Sequence, residues 1–267
     1  MPVKYRSGAT FDFIEDCLAT GRVAFSLAEC MSSTGLGKEA AMAQLRRLRP
    51  SVVPLYARAH FYLIVEPRYR IFGAPPPALW LDHYFRTRGR TYYLGLLSAA
   101  AEYGSSHQAS QVTQVIVAES RPSIAVGRVR VEITVKQDIS ETPVAIAFNA
   151  EAPLRVSSPP ATVLDLIRYN AKVGGIDRVV DIINDMKSRI AVGDLKLALT
   201  QDLEIKLLQR TGFIFEHLGL ERHAGVIEDR LQGLRLQPTT LSSTRPRAEV
   251  VSRNRWNVVA TLGLSRS

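Results

Sequence analysis

The sequence predicts an α+β protein from two features. Short β-branched runs bounded by glycine, proline or polar residues fall ahead of Pro159, and after Pro159 the chain reads mostly as amphipathic helices. That grouping differs from the strict strand–helix alternation of a doubly wound sheet. With 267 residues, 46% hydrophobic and 22% charged, the chain has material for one large core or two modest ones and lacks the signature of disorder. No apolar run reaches the roughly 18 residues of a membrane span. The opening MPVKYRSGATFDFIEDC meets acidic residues too early for a secretory signal. Cys17 and Cys30 form neither a Cys-x-x-Cys motif nor a disulfide framework, so a reducing, cytoplasmic location is expected.

Composition suggests three segments. Residues 1–72 hold helices followed by a β-rich piece and end at the breaker run Ala74-Pro75-Pro76-Pro77. Residues 73–235 form a mixed α/β domain. Residues 236–267 begin with the polar QPTTLSSTRPRAE, expected as a mobile loop, and recover in RWNVVATLGL, a last strand packing on the C-terminal domain.

In chain order, FSLAECMSSTGLGKEAAMAQLRRL carries the most mechanism. Ser26 and Glu29 form a Ser-x-x-Glu capping box, which satisfies the first free N–H groups of a short helix. Ser32, Ser33, Thr34 and Gly35 end it, and a second helix starts near Gly37 and Lys38. There Ala41, Leu45 and Leu48 share one face, while Glu39, Ala43, Arg46 and Arg47 point away, with Lys38 and Met42 on the flanks. This is the pattern of a helix-turn-helix. Small outward side chains would let the second helix enter a major groove, where Lys38, Met42, Arg46 and Arg47 would read or grip DNA.

SVVPLYARAHFYLIV then reads as two strands joined near Arg58-Ala59-His60, the wing of a winged helix, with Arg58 and His60 on the duplex backbone. No glycine stands at that tip, which argues against a tight turn. A small helical bundle with a solvated basic face would give the same pattern. The excess of 34 basic over 25 acidic residues, a net +9, suits a polyanionic partner without demanding one.

Further on, Leu79–Arg86 and Tyr92–Tyr103 read as helices, and QVIVAES, VRVEITVK and VAIAFN as strands. PPATVLDLIRYNAK, IDRVVDIINDMKSRI and DLEIKLLQRTGFIFEHLGL read as helices, the first opening with prolines where helix N–H groups lack partners anyway.

Catalytic and metal patterns fail on inspection. GLGK at Gly35–Lys38 is no phosphate loop, because Ser32 and Glu39 stand where glycine and Ser or Thr are needed. Glu132 and Lys136 could suggest a metal-dependent nuclease, but their spacing is one alternation too long, and the preceding strand offers only Glu119 at its end. His60, His83, His107, His217 and His223 show no ligand spacing, so no metal and no cofactor are expected. Ser105-Ser106-His107-Gln108 follows Gly104 at a helix end. Adjacent side chains rarely make a nucleophile–base pair, so these residues read as scaffold or interaction surface, with Gly104 as a C-cap.

YYLGLLSAAAEYGSSHQASQVTQVIV resembles the central signature of AbiEi-type antitoxins, the regulator half of the AbiE (type IV) toxin–antitoxin systems. The resemblance extends to SSPPATVLDLIRYNAKVGGIDRVVDII, LLQRTGFIFEHLGL and RWNVVATLGL, and to the order of the N-terminal elements. The chain departs from the family at Ala59-His60, where an Arg-Gly is usual, at Tyr103, where relatives often carry His, and in a longer polar loop before Arg255. The resemblance implies a non-enzymatic autorepressor that binds inverted repeats in its own promoter as double-stranded operator DNA. It also implies a C-terminal domain that supports cooperative binding, two copies meeting on DNA, and a cognate nucleotidyltransferase toxin neutralised with or without direct contact. The alternatives are a nucleic-acid enzyme and a ligand-sensing repressor with no toxin partner.

Overall fold

The computed structural model describes residues 8–105, 112–149, 152–241 and 254–260. The chain divides into two compact units, one formed by Met1–Tyr93, Gln111–Ile139 and Ile146–Arg155, the other by Leu94–Ser110, Ser140–Ala145 and Val156–Ser267. Among the described residues no helix is long and apolar enough to cross a membrane.

The first unit opens with α1 (Ala9–Ala19), β1 (Ala24–Ser26), α2 (Leu27–Thr34), α3 (Lys38–Arg47), β2 (Val52–Pro54) and β3 (Phe61–Ile64). β3 pairs antiparallel with both β1 and β2, giving a three-stranded sheet of order β1-β3-β2. The capping box forms as read: the Glu29 N–H donates to Ser26 Oγ, and the Ser26 N–H donates to Glu29 Oε2. Gly35 closes α2 at φ 68°, a left-handed conformation that glycine adopts without a Cβ penalty. Phe13, Ile14, Cys17, Phe25, Leu27, Cys30, Ala41, Leu45, Val52 and Ile64 share one core, where Phe13 meets Phe25 edge-on at 5.1 Å. Both thiols are free and buried in it, and burial pushes their pKa values up.

The same unit continues through α4 (Leu81–Arg86) and β4 (Tyr92–Leu94). After α5 (Leu96–Glu102) come β5 (Val112–Val117), β6 (Ile124–Val126), β7 (Val129–Val135), β8 (Val144–Asn149) and β9 (Ala152–Ser157). These strands make a mixed six-stranded sheet of order β6-β7-β5-β4-β9-β8, lying largely in the first unit. β5 and β7 run parallel in continuous register from Val112↔Arg130 to Val117↔Val135, and β6 returns antiparallel to β7.

Tyr92–Leu94 corrects the expected helix Tyr92–Tyr103. All three of these residues are buried, so the strand shows no alternation and reads like the start of a buried helix. The true helix α5 begins only after Gly95.

The second unit is mostly helical: α5, α6 (Pro159–Arg168), α7 (Ile176–Met186), α8 (Val192–Ala198), α9 (Ile205–His217) and α10 (Glu221–Leu231). Ser158 caps α6 by accepting from the Ala161 N–H. α6 is buried from Pro160 to Ile167 and packs against α5, α7, α8 and α9, so it is the axis of the unit. The predicted helix over 159–172 stops at Arg168 and continues as a 3₁₀ turn. The long helix over 202–220 spans only Ile205–His217, while α8 and α10 are additional. The polar stretch after Leu236 is not loop throughout, because β10 (Thr239–Thr240) pairs in parallel with β11 (Val258–Val259). The rest of the expected loop, residues 242–249, lies outside the described residues, as does the end of the predicted last strand.

Candidate nucleic-acid interface

α3 has two unlike faces. Ala41 and Leu45 are wholly buried, and Leu48 packs partly against the same core. Lys38, Glu39, Ala43, Arg46 and Arg47 are exposed. Among the described residues none of Lys38, Arg46 and Arg47 forms an ion pair, so their charge is uncompensated toward solvent. Arg46 and Arg47 occupy the last turn, where cations also suit the helix dipole. Met42 is half-buried and packs on the core, which makes it a weaker candidate for reading a groove.

The loop between β2 and β3 turns without glycine. The Ala59 N–H donates to the Tyr56 carbonyl at 3.0 Å, closing a tight turn, and His60 takes φ 48°. A left-handed histidine therefore stands where the resembled family has glycine, at a steric cost of about 1–2 kcal/mol. The His60 carbonyl accepts from the Leu27 N–H at 2.7 Å, which ties the loop to the start of α2. Arg58 and His60 are exposed.

The sequence did not reveal how this loop is supported. Tyr56 Oη lies 3.1 Å from Tyr84 Oη, and Arg88 Nη2 donates to the Ala59 carbonyl. Both pairs join residues about thirty positions apart, so no spacing rule exposes them. The Arg88 guanidinium also sits 5.0 Å from the centre of the Tyr84 ring.

α2 is held similarly. His83 Nε2 lies 3.0 Å from Glu29 Oε2, and Arg22 Nη1 is 3.7 Å from Oε1. Burial pushes the Glu29 carboxyl up, but its hydrogen bonds with His83 and Ser26 outweigh that and hold the pKa at about 2, below the ordinary 4.5. A carboxylate with a depressed folded-state pKa contributes stability that is fully present above pH 4.5 and lost as pH falls through about 2. Urea unfolding followed from pH 5 to pH 2 should show that loss, and Glu29→Gln should flatten it. An unchanged acid slope in the variant would place the effect on other carboxylates.

Among the described residues, the remaining predicted positions are engaged in local structural contacts. Ser105 belongs to a helix ending in which its N–H donates to the Ala100 carbonyl and the Gly104 N–H to that of Ala101, both at 3.1 Å. Its hydroxyl donates to Asp185 Oδ2 at 3.1 Å. Ser106, His107 and Gln108 lie outside the described residues. Glu132 is exposed and accepts from Gln114 Nε2 at 3.3 Å, whereas Lys136 is only 7% exposed with its ammonium 5.9 Å from the Tyr93 ring centre. Among the described residues no group of three His, Cys, Asp or Glu could hold a metal.

Residues 93–217 match the family model described as the AbiEi antitoxin C-terminal domain. Among solved structures, the crystal structure of the RV2827C protein from Mycobacterium tuberculosis shares this fold with a TM-score of 0.67 at 16% identity, over 95% of this chain and 91% of that one. No curated protein matches the sequence.

Proposed function

We propose that the chain is a DNA-binding antitoxin, a reading supported by the match of residues 93–217 to the family model of the AbiEi antitoxin C-terminal domain. In this reading it represses its own operon through inverted repeats in the promoter and neutralises a nucleotidyltransferase toxin encoded beside it. That match supports the antitoxin role. For DNA binding, the support is the order α1-β1-α2-α3-β2-β3 with sheet order β1-β3-β2, the arrangement expected of a winged helix-turn-helix.

One observation carries the reading. α3 is seated by Ala41 and Leu45 and presents Lys38, Arg46 and Arg47 to solvent without ion-pair partners among the described residues. Such a helix can enter a major groove, with Arg58 and His60 of the β2–β3 loop meeting the phosphate backbone. An inverted repeat offers two half-sites related by a two-fold axis, so two copies bind, meeting on the DNA.

The test has two arms. Titrating the promoter fragment upstream of the gene should give an affinity that falls steeply with salt, with a log–log slope of about −0.9 per phosphate neutralised. A complex insensitive to salt would remove the phosphate contacts from the reading. Co-expression with the adjacent gene should restore growth that the adjacent gene alone suppresses. If growth stays suppressed, neutralisation fails independently of DNA binding.

A further inference from the structure

Two apolar side chains stand in the open on a turn that is otherwise firmly held. Ile71, 68% exposed, is the most exposed large apolar residue among the described ones, and Phe72 beside it is 49% exposed. They follow the 3₁₀ turn Pro67–Tyr69, and the N–H groups of Phe72 and Gly73 both donate to the Tyr69 carbonyl, at 3.0 and 3.1 Å. The Phe72 carbonyl accepts from the Arg128 N–H at 2.7 Å, and Gly127 packs so closely that a Cβ there would lie 2.2 Å from that carbonyl oxygen. The turn is therefore pinned, backbone to backbone, against the connection between β6 and β7. Its two apolar side chains are held in a fixed place facing water, which is the mark of an association surface.

Arg70, immediately before this pair, lines a groove of about 620 Å³. Phe11, Ile14 and Leu18, on one face of α1, line it together with Val23, Ile64 and Val65. Its two rims carry opposite charge. Glu15 stands on the α1 rim, and Asp12 and Asp16 continue the exposed face of that helix. Arg68 and Arg70 stand on the other rim, where Arg68 is already bound to Glu66 at 3.0 Å. Among the described residues Asp12, Glu15, Asp16 and Arg70 enter no ion pair. The α1 rim repels phosphate, so this face is no extension of the α3 interface.

We propose that this face joins two copies of the chain about a two-fold axis, with the Ile71–Phe72 pair of each copy seated in the groove of the other and Glu15 of each facing Arg70 of the other. The groove, both rims and the exposed pair all lie within the first unit. A two-fold contact requires a self-complementary patch, and an acidic rim, a basic rim and an apolar pair beside an apolar groove make one. A partner of a single charge sign would meet like charge on one rim. A second copy, turned by half a revolution, meets opposite charge on both. Because the turn is already held by Arg128 and Gly127, association costs little ordering of the chain. The contact involves protein alone, so its failure would leave the nucleic-acid reading untouched.

Sedimentation of the full chain without DNA, over a concentration series, tests this. The wild type is expected to move from one chain mass toward two as concentration rises, and Ile71→Ser/Phe72→Ser to weaken that association by at least about tenfold. Both side chains are exposed, so the melting temperature should hold. Charge reversal at the exposed Glu15 and Arg70 asks more of the geometry. Glu15→Arg alone and Arg70→Glu alone each set like charges together at both contacts and should remain single chains. Mixing the two variants restores opposite charge at both contacts and should give a mixed dimer. A wild type of one chain mass at every concentration overturns the proposal. So does association that survives Ile71→Ser/Phe72→Ser or both single reversals, since it would run through another face. A mixture that stays as single chains overturns the pairing of Glu15 with Arg70, and with it the two-fold arrangement.

Discussion

Gly212→Ala is expected to destabilise the protein by about 3–5 kcal/mol, the range for losing a buried tryptophan from a core. A Cβ at Gly212 would stand 2.2, 2.4 and 2.6 Å from Cζ3, Cε3 and Cη2 of Trp256, too close for any real contact. The indole cannot yield cheaply. It is 1% exposed, its Nε1 donates to Glu216, and Gln209 Nε2 donates to its backbone carbonyl at 2.6 Å. Arg255 next to it faces Glu216, Glu221 and Glu228 at 3.3, 3.9 and 2.8 Å, and lies 4.9 Å from the Trp256 ring centre.

α9 also cannot retreat, because Leu207, Leu208, Ile214 and Phe215 are buried on the same helix. The ring must therefore leave its seat. Denaturant unfolding measures the cost. Emission measures the ejection, since Trp80 is the other tryptophan in the chain and Trp80→Phe isolates the signal. Native emission and an unchanged midpoint in Gly212→Ala would mean that residues 254–260 do not pack on α9 as described.

Arg46→Ala/Arg47→Ala is expected to weaken promoter binding by at least tenfold, about 1.4 kcal/mol. The figure is a lower bound, because a single arginine on a base edge is worth about 1–3 kcal/mol. Folding should be little affected. Both side chains are exposed and unpaired among the described residues, and alanine recovers in helix propensity part of the ~0.3–1 kcal/mol that a cation contributes at a helix C-terminus. A titration by anisotropy, with a thermal melt alongside, separates the two effects. Affinity equal to wild type in a folded variant would take α3 out of the interface.

How far the sequence could be read depended on the range of each interaction. The capping box at Ser26 and Glu29 spans three residues, the Gly35 turn is a local backbone preference, and the buried and exposed faces of α3 follow from helical period alone. β2 and β3 are legible as short β-branched and aromatic runs joined by a short loop. Legibility ended where a doubly buried strand runs into an apolar helix or where partners are distant. Tyr92–Leu94 passed for helix, since a strand covered on both faces has no alternation to detect. The missing glycine at the loop tip was visible, but not that His60 takes the left-handed conformation itself. Short α8 has too few turns for a helical period to show in the sequence.

What the sequence by itself determined is the set of local signals: where α2 and α3 begin and end, which face of α3 is charged, and the central stretches that match the family model of the AbiEi antitoxin C-terminal domain. The tertiary structure alone decided that Tyr92–Leu94 is a strand, that Tyr84 and Arg88 hold the β2–β3 loop, that His83 grips Glu29, and that Trp256 lies on Gly212. The reason is physical. Local signals come from backbone hydrogen bonds and side-chain period within a few residues, whereas these contacts join positions 28 to 62 apart and exist only once the chain has closed around them.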